Sequence, residues 1–211
     1  MIISYRHGFI FVRTRKTASS TIERTLRKVL GPDDMFVSHK NLVKGSEEEI
    51  VDGLPTANIF GHMTLQEIRP LVSADFWQTA YKFTSERHPY EKAVSLAYYN
   101  YGRRDEKGRD TPEEFSEYLD KTVRRGSYRG FDHYTIGGKV AVDDFIRFER
   151  LDADMRRIGD RLGFAVPPEL PQKKSAYRSD RRPAREILSQ DQKSCVQEHC
   201  REEFELLGYE P

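Results

Sequence analysis

Lys16, Thr17, Ser19, Ser20 and Thr21 bring an ammonium and a run of hydroxyls into one short segment, Arg13-Thr-Arg-Lys-Thr-Ala-Ser-Ser-Thr21. The apolar run Phe9-Ile-Phe-Val12 precedes it, and Ile22, Leu26, Val29 and Leu30 follow at helical spacing. That pattern reads as buried strand, polar loop, helix. A helix start presents free backbone N–H groups and the positive end of the helix dipole, so lysine and hydroxyls there suit a phosphate or a sulfate. An ordinary N-cap needs only one hydroxyl. The loop is not of the ATP type, because Gly-x-x-x-x-Gly-Lys-Ser/Thr is absent and the segment holds no glycine. Thr84-Ser-Glu-Arg-His-Pro-Tyr-Glu-Lys-Ala-Val-Ser95 repeats the strand–turn–helix form. Arg87 supplies a rigid donor fork, and Ser95 lies about two turns along the helix, on its way to completing a second phosphate site. Taken alone, the pair equally describes a surface salt bridge and a small helix residue. His62 is a candidate base, since imidazole titrates near neutral pH, and equally reads as a core or turn histidine. It closes Asn58-Ile-Phe-Gly-His62, read as a short strand whose carboxyl end is where ligands bind in open α/β sheets. Glu86 and His133 are the alternatives for that role, and His88, before Pro89, is expected to brace its turn.

The elements that must position these residues alternate. Leu65, Ile68 and Leu71 share a helical face, and Thr79–Thr84 reads as a strand. Pro89 opens a helix to about Tyr101, and Thr111-Pro112-Glu-Glu opens another with cap, proline and early acids. Val142–Phe148 reads as a strand, Leu151–Leu162 as a helix stopped at Gly163, and Ser189–Leu207 as a last helix capped by Gly208. Gly31-Pro32 is expected to end the first helix through a left-handed glycine cap. The alternation predicts an α/β domain with a mainly parallel central sheet flanked by helices. Segments 101–109 and 167–183 read as loops, and no internal repeat occurs.

The two anion motifs together resemble those of sulfotransferases that use 3′-phosphoadenosine 5′-phosphosulfate (PAPS). Arg15-Lys16-Thr17-Ala18-Ser19-Ser20-Thr21 is similar to the family's Pro-Lys-Thr-Gly-Gly-Thr type of loop. Arg87-His-Pro-Tyr-Glu-Lys-Ala-Val-Ser95 is similar to the Arg-Asp/Asn-Pro-Tyr-x-Arg-x-x-Ser run of the carbohydrate-type branch. Gly61-His62, Asp144–Leu151 and the closing Phe204–Tyr209 resemble further segments in the same order, so the likeness covers nearly the whole chain. It implies a single P-loop-like domain over residues 1–211, with residues 15–21 on the 5′-phosphosulfate and Arg87 with Ser95 on the 3′-phosphate. It also implies a basic cofactor lid of Lys173, Lys174, Ser175, Tyr177 and Arg178. His62 would be the base and Lys16 the stabiliser of the leaving oxygen, with a glycan or small-molecule hydroxyl as acceptor and no metal. Three positions depart from the pattern. Arg15 replaces the usual proline, and Ala18 and Ser19 replace glycines, which predicts a stiffer loop. Phe60 stands where some uronyl 2-O-type members carry a further histidine, which predicts a single base.

Composition sets the bounds. The 211 residues include 35 Lys and Arg against 34 Asp and Glu, a formal net charge of +1. This argues against a general nucleic-acid coat or a polybasic membrane binder. A hydrophobic fraction of 37% with 11% aromatics argues for a folded core. Cys195 and Cys200 are too few for a secreted disulfide scaffold, and no apolar run is long enough for a signal core or a membrane span, so a cytoplasmic protein is expected. Cys195 and His199, four apart, have a spacing that a metal could use, but two residues of one helix are not a ligand set. Tyr98, Tyr99, Tyr101 and Trp77 are candidates to stack on sugar rings, or simply to pack a core. A small-molecule kinase on a related fold, and a non-catalytic module for sulfated glycans or RNA, are the competing classes.

Overall fold

The computed structural model of the chain describes residues 1–38, 41–45, 49–51, 59–103, 112–170 and 178–211. Its strands are β1 (Ile2–Ser4), β2 (Phe9–Val12), β3 (Met35–Ser38), β4 (Asn41–Lys44), β5 (Glu49–Ile50), β6 (Tyr81–Glu86), β7 (Thr135–Ile136), β8 (Lys139–Val140) and β9 (Asp144–Arg147). Its helices are α1 (Ser19–Leu26), α2 (Leu65–Ile68), α3 (Ala74–Thr79), α4 (Pro89–Gly102), α5 (Pro112–Arg125), α6 (Leu151–Leu162), α7 (Ala184–Ile187), α8 (Gln190–His199) and α9 (Arg201–Leu207). They fall into two compact units interleaved along the chain: Met1–Glu86 with Asp132–Pro171, and Arg87–Phe131 with Gln172–Pro211.

The first unit is built on a sheet of order β5-β4-β3-β1-β2-β6-β9. The expected parallel pairing is carried by β2, β6 and β9, while β1 to β5 join through antiparallel pairs that extend the sheet on the other side. Side chains alternate across the sheet. Ile2, Phe9 and Phe11 pack with Ile22 and Leu26 of α1 and with Met155 and Ile158 of α6. Ile3, Ile10 and Val12 pack on the other face with Met63 and with Leu65 and Ile68 of α2. With both faces covered, β2 has to be apolar at every position, which is why it reads as a continuous run rather than an alternating one. Each such side chain contributes about 1.5–3 kcal/mol by leaving water.

The N-terminal Ile-Ile forms strand β1, hairpinned to β2 through a turn that ends at Gly8, with φ of +63°. The end of α1 differs from the sequence expectation. Gly31 is not a left-handed cap, because it is absent from the positive-φ residues. Its N–H instead donates to buried Asp34 Oδ2 at 2.8 Å, and the same carboxylate accepts from Ser4 Oγ at 2.7 Å and Arg6 N–H at 3.0 Å. That carboxylate organises the turn after α1, so no left-handed residue is needed. Gly163 and Gly208 do take the left-handed cap, with φ of 72° and 61°.

Gly159, inside α6, is required by close approach. A Cβ there would lie 2.7 Å from both the Phe164 carbonyl oxygen and Val166 Cγ2. An exposed helical glycine usually gains up to about 1 kcal/mol on becoming alanine. Gly159→Ala should do the opposite and lose about 1–3 kcal/mol, read as a lower midpoint in urea. An unchanged or raised midpoint would show that this contact is not tight.

The second unit is helical. Tyr90, Val94 and Ala97 of α4 pack with Leu119 and Val123 of α5 and with Val196, Cys200 and Phe204. The single last helix expected from the sequence is interrupted at Cys200 (φ −117°, ψ 27°), which splits it into α8 and α9. Cys200 is fully buried, and no disulfide joins it to Cys195. His199 packs against the turn at Gly126, where a Cβ would meet its Nδ1 at 2.8 Å. Tyr98 stacks on Phe115 at 4.1 Å between centroids, and Tyr101 meets Phe115 and Tyr118. Tyr98 is thereby buried in the helical core, while Tyr101 stays half-buried. Among the described residues, no helix is long and apolar enough to cross a membrane, and no cluster of three or more metal-ligating side chains occurs.

Candidate active site

The loop after β2 is bolted to β6. Thr14 Oγ1 donates to the Ser85 carbonyl, and Thr84 Oγ1 donates to the Val12 carbonyl at 3.0 Å. Thr17 Oγ1 lies 2.8 Å from Ser85 Oγ and 3.0 Å from Thr14 Oγ1. All four side chains are fully buried. Of the four hydroxyls expected as anion donors, that of Thr17 faces inward and anchors the loop. Ser20 Oγ accepts from Arg13 Nη2 at 3.2 Å, while Ser19 and Thr21 are each 5% exposed. Arg15 is exposed and Lys16 half-buried.

The backbone supplies what those hydroxyls do not. Lys16 and Ala18 both sit in the left-handed region, at φ of 62° and 61°. For non-glycine residues each such conformation costs on the order of 1–3 kcal/mol and persists only where the surroundings enforce it. The inward bolt through Thr14 and Thr17 is that enforcement. Left-handed residues alternating with ordinary ones form a concavity lined by N–H groups, which is a backbone anion nest. Helix α1 starts from it at Ser19 with no side-chain cap, while the Ala18 carbonyl accepts from Thr21 and Ile22 N–H at 2.8 and 3.1 Å. The loop thus adopts this shape without the glycines that would make it inexpensive.

His62 meets the same loop. Residues 59–62 form irregular chain and a turn, not the expected strand, and Asn58 lies outside the described residues. The turn is held on both sides. The Gly61 carbonyl accepts from the Met1 amino group at 3.0 Å, Met63 is fully buried, and a capping box between Thr64 and Glu67 starts α2. His62 Nδ1 lies 3.2 Å from the Arg13 carbonyl oxygen. A carbonyl only accepts, so Nδ1 carries the hydrogen and Nε2 keeps the lone pair. The Arg13 guanidinium pairs with Glu23, and a Cβ on Gly61 would lie 3.3 Å from Arg13 Nη1. Burial, then the charges of Arg13, the Met1 amino group and Arg15, push the His62 imidazole down to about 3, against the opposing hydrogen bond from its own ring to Arg13.

Arg87, His88, Ser95 and Arg178 belong to the second unit, and Glu86 and His133 to the first. Arg87 lies just before α4, whose N-cap is His88, and Glu91 and Ser95 share one stripe of the helix at i and i+4. Arg87 Nη2 pairs with Glu91 Oε2 at 2.9 Å, and Ser95 is half-buried. Arg178 Nη1 reaches the same carboxylate oxygen at 2.6 Å. Lys173, Lys174, Ser175 and Tyr177 lie outside the described residues. His88 is the N-cap of α4. Its Nδ1 accepts from Tyr90 N–H at 3.3 Å and its Nε2 donates to the Glu210 carbonyl at 2.9 Å, which is the bracing role expected of it. Glu86 ends β6 fully buried, and His133 ends the short 3-10 turn Phe131–His133. Sequence reasoning missed Thr14, Arg13 and Glu23, although an arginine and a glutamate flanking the hydroxyl-rich segment were visible.

The model of the sulfotransferase family matches residues 1–210. The chain belongs to the sulfotransferase family. The reading of its sequence as a PAPS-dependent member stands with that membership. The structure is similar to the crystal structure of mouse sulfotransferase SULT7A1 complexed with PAP, with a TM-score of 0.53 and 15% identity over 93% of this chain and 84% of that one. At that identity the likeness is one of fold, and it agrees with a mixed α/β sulfotransferase architecture. No curated protein matches the sequence. In this sulfotransferase the loop of residues 15–21 and His62 are joined through one residue, Arg13, whose carbonyl orients the imidazole and whose guanidinium holds Ser20.

Proposed function

We propose that the protein is an O-sulfotransferase that moves the sulfuryl group of PAPS to a hydroxyl of a carbohydrate acceptor in the cytoplasm, with His62 as base. The observation that carries this reading is the fixed tautomer of His62, with Nδ1 donating to the Arg13 carbonyl at 3.2 Å beside an uncapped, left-handed loop. The nest at Lys16–Ala18 and the start of α1 fit a phosphosulfate, since N–H groups and helix dipole both favour negative charge. PAPS supplies a sulfur bonded to a good leaving group.

In this reading residues 15–21 bind the 5′-phosphosulfate, Thr17 through its backbone rather than its hydroxyl, and Arg87 with Ser95 bind the 3′-phosphate. Lys173, Lys174, Ser175, Tyr177 and Arg178 form the lid assigned by resemblance. His62 Nε2 takes the proton of the acceptor hydroxyl as that oxygen bonds to sulfur. The Lys16 ammonium offsets the charge that gathers on the phosphate oxygen released as the old S–O bond breaks.

A binding panel followed by a transfer assay tests the assignment. Adenosine 3′,5′-bisphosphate should raise the thermal midpoint, and ATP with Mg²⁺ should not. Radiolabelled sulfuryl should pass from PAPS to a saccharide, not only to a phenol. ATP binding that depends on Mg²⁺ would favour a kinase, and binding of heparin-like glycan without any transfer would favour a non-catalytic module.

A further inference from the structure

Glu91 is the third residue of α4 and lies between two arginines. Its Oε2 accepts from Arg87 Nη2 at 2.9 Å and from Arg178 Nη1 at 2.6 Å, and its Oε1 accepts from the Ala184 N–H at 2.8 Å. Ala184 opens α7, whose N-cap Pro183 gives no side-chain cap, so Glu91 caps that helix from a distance in sequence. Arg178 also donates from Nε to the Asp180 carbonyl at 2.8 Å and from Nη2 to the Arg182 carbonyl. All three nitrogens of Arg178 are therefore engaged within this unit, which makes it a brace for the segment from 178 to 184.

We propose that Glu91 is a positioning residue for recognition of the nucleotide's 3′-phosphate: it holds Arg87 in place and fastens the Arg178–Ala184 segment to the same face of α4. This rests on the reading of Arg87 and Ser95 as the 3′-phosphate ligands. The side chains of Arg87 and Arg178 are each only 15% exposed, and Glu91 is 24% exposed. Two partly buried guanidinium groups repel each other unless a carboxylate lies between them, and removing one partner of such a group leaves uncompensated charge. A guanidinium fork already held in one geometry loses less freedom when a phosphate arrives. Glu91 stays ionised for this role. Burial works against its charge, but the Ala184 N–H, the Arg178 hydrogen bond and both arginine charges hold its carboxyl below the usual range.

The test compares two nucleotides that differ only in the 3′-phosphate, adenosine 3′,5′-bisphosphate and adenosine 5′-monophosphate, by calorimetry on the full chain. Glu91→Gln keeps the shape and removes the charge. It should weaken bisphosphate binding about tenfold, roughly 1.4 kcal/mol, and leave monophosphate binding within about twofold, which also shows that the variant is folded. Arg178→Gln, which cuts one arm, should give a smaller loss in the same direction. In an Arg87→Ala background Glu91→Gln should add nothing, because its effect runs through Arg87. Equal losses for both nucleotides would make Glu91 a merely structural hub and overturn the proposal. Unchanged or tighter bisphosphate binding would overturn it too, by making Glu91 a bystander or a competitor of the phosphate. If the unaltered protein does not distinguish the two nucleotides, the assignment of Arg87 itself fails, a result separate from the others.

Discussion

His62→Ala should lower kcat by about 10²–10⁴-fold, the range for loss of a positioned base, with affinity for adenosine 3′,5′-bisphosphate unchanged. The split follows from geometry. Among the described residues the His62 ring is hydrogen-bonded to the loop through Nδ1 and the Arg13 carbonyl, so its removal takes the base and leaves the N–H groups of the loop in place. In the free protein the imidazole sits at about 3, because burial and the neighbouring cations disfavour its charge. It is neutral at every working pH, and kcat/KM should show no acid limb from this group near 6.5. A bound nucleotide carries several negative charges, which must raise the His62 value. Any acid limb in kcat should therefore lie above the value in the free protein, with activity present above it and lost below. The same shift governs stability. The unfolded imidazole takes its proton near 6.5, so stability is whole above that pH and declines as pH falls toward 3. His62→Ala should lose less of its urea midpoint between pH 7.5 and pH 5 than the unaltered protein does. Full turnover in His62→Ala would remove the base assignment, and equal acid slopes would show that the imidazole is not held neutral.

Lys16 carries the second large effect, and its backbone dictates how to measure it. At φ of 62° an alanine would inherit the strain, whereas glycine adopts this conformation freely. Lys16→Gly thus removes the ammonium and keeps the loop. We expect kcat to fall about 10²–10³-fold, as for loss of a donor aimed at a developing charge, together with weaker binding of adenosine 3′,5′-bisphosphate. Ala18→Gly is the control for strain: at φ of 61° it should raise stability by about 1 kcal/mol. Unchanged affinity and turnover in Lys16→Gly would show that the loop is not the anion site.

These two variants also separate what was legible in the chain from what was not. The lysine and its hydroxyl-rich neighbours could be read at once, because a strand, a polar loop and a helix leave a local signature. The direction of each hydroxyl could not. Thr17 and Ser20 look equivalent in the sequence, yet one is buried against Ser85 and the other accepts from Arg13. The missing glycines read as a stiffer loop. The structure shows the left-handed turns kept at Lys16 and Ala18, enforced by side chains from β6 that lie far away in sequence. His62 was singled out for its chemistry and expected at a strand end, whereas it lies in a turn, since a short apolar run and a glycine look alike in either setting.

By itself the sequence determined the α/β class, the helices from Pro89 and Leu151, the caps at Gly163 and Gly208, and the family. Each of these depends on local periodicity, local backbone preference or the order of short motifs. Tertiary structure alone decided that the Ile-Ile start is a sheet strand, that Arg13 links the loop to His62, and that Glu91 gathers Arg87, Arg178 and Ala184. Those are contacts between residues 49 and 93 positions apart as much as between neighbours. A pattern read along the chain carries no term for such pairs, and only packing fixes which carbonyl or carboxylate each side chain meets.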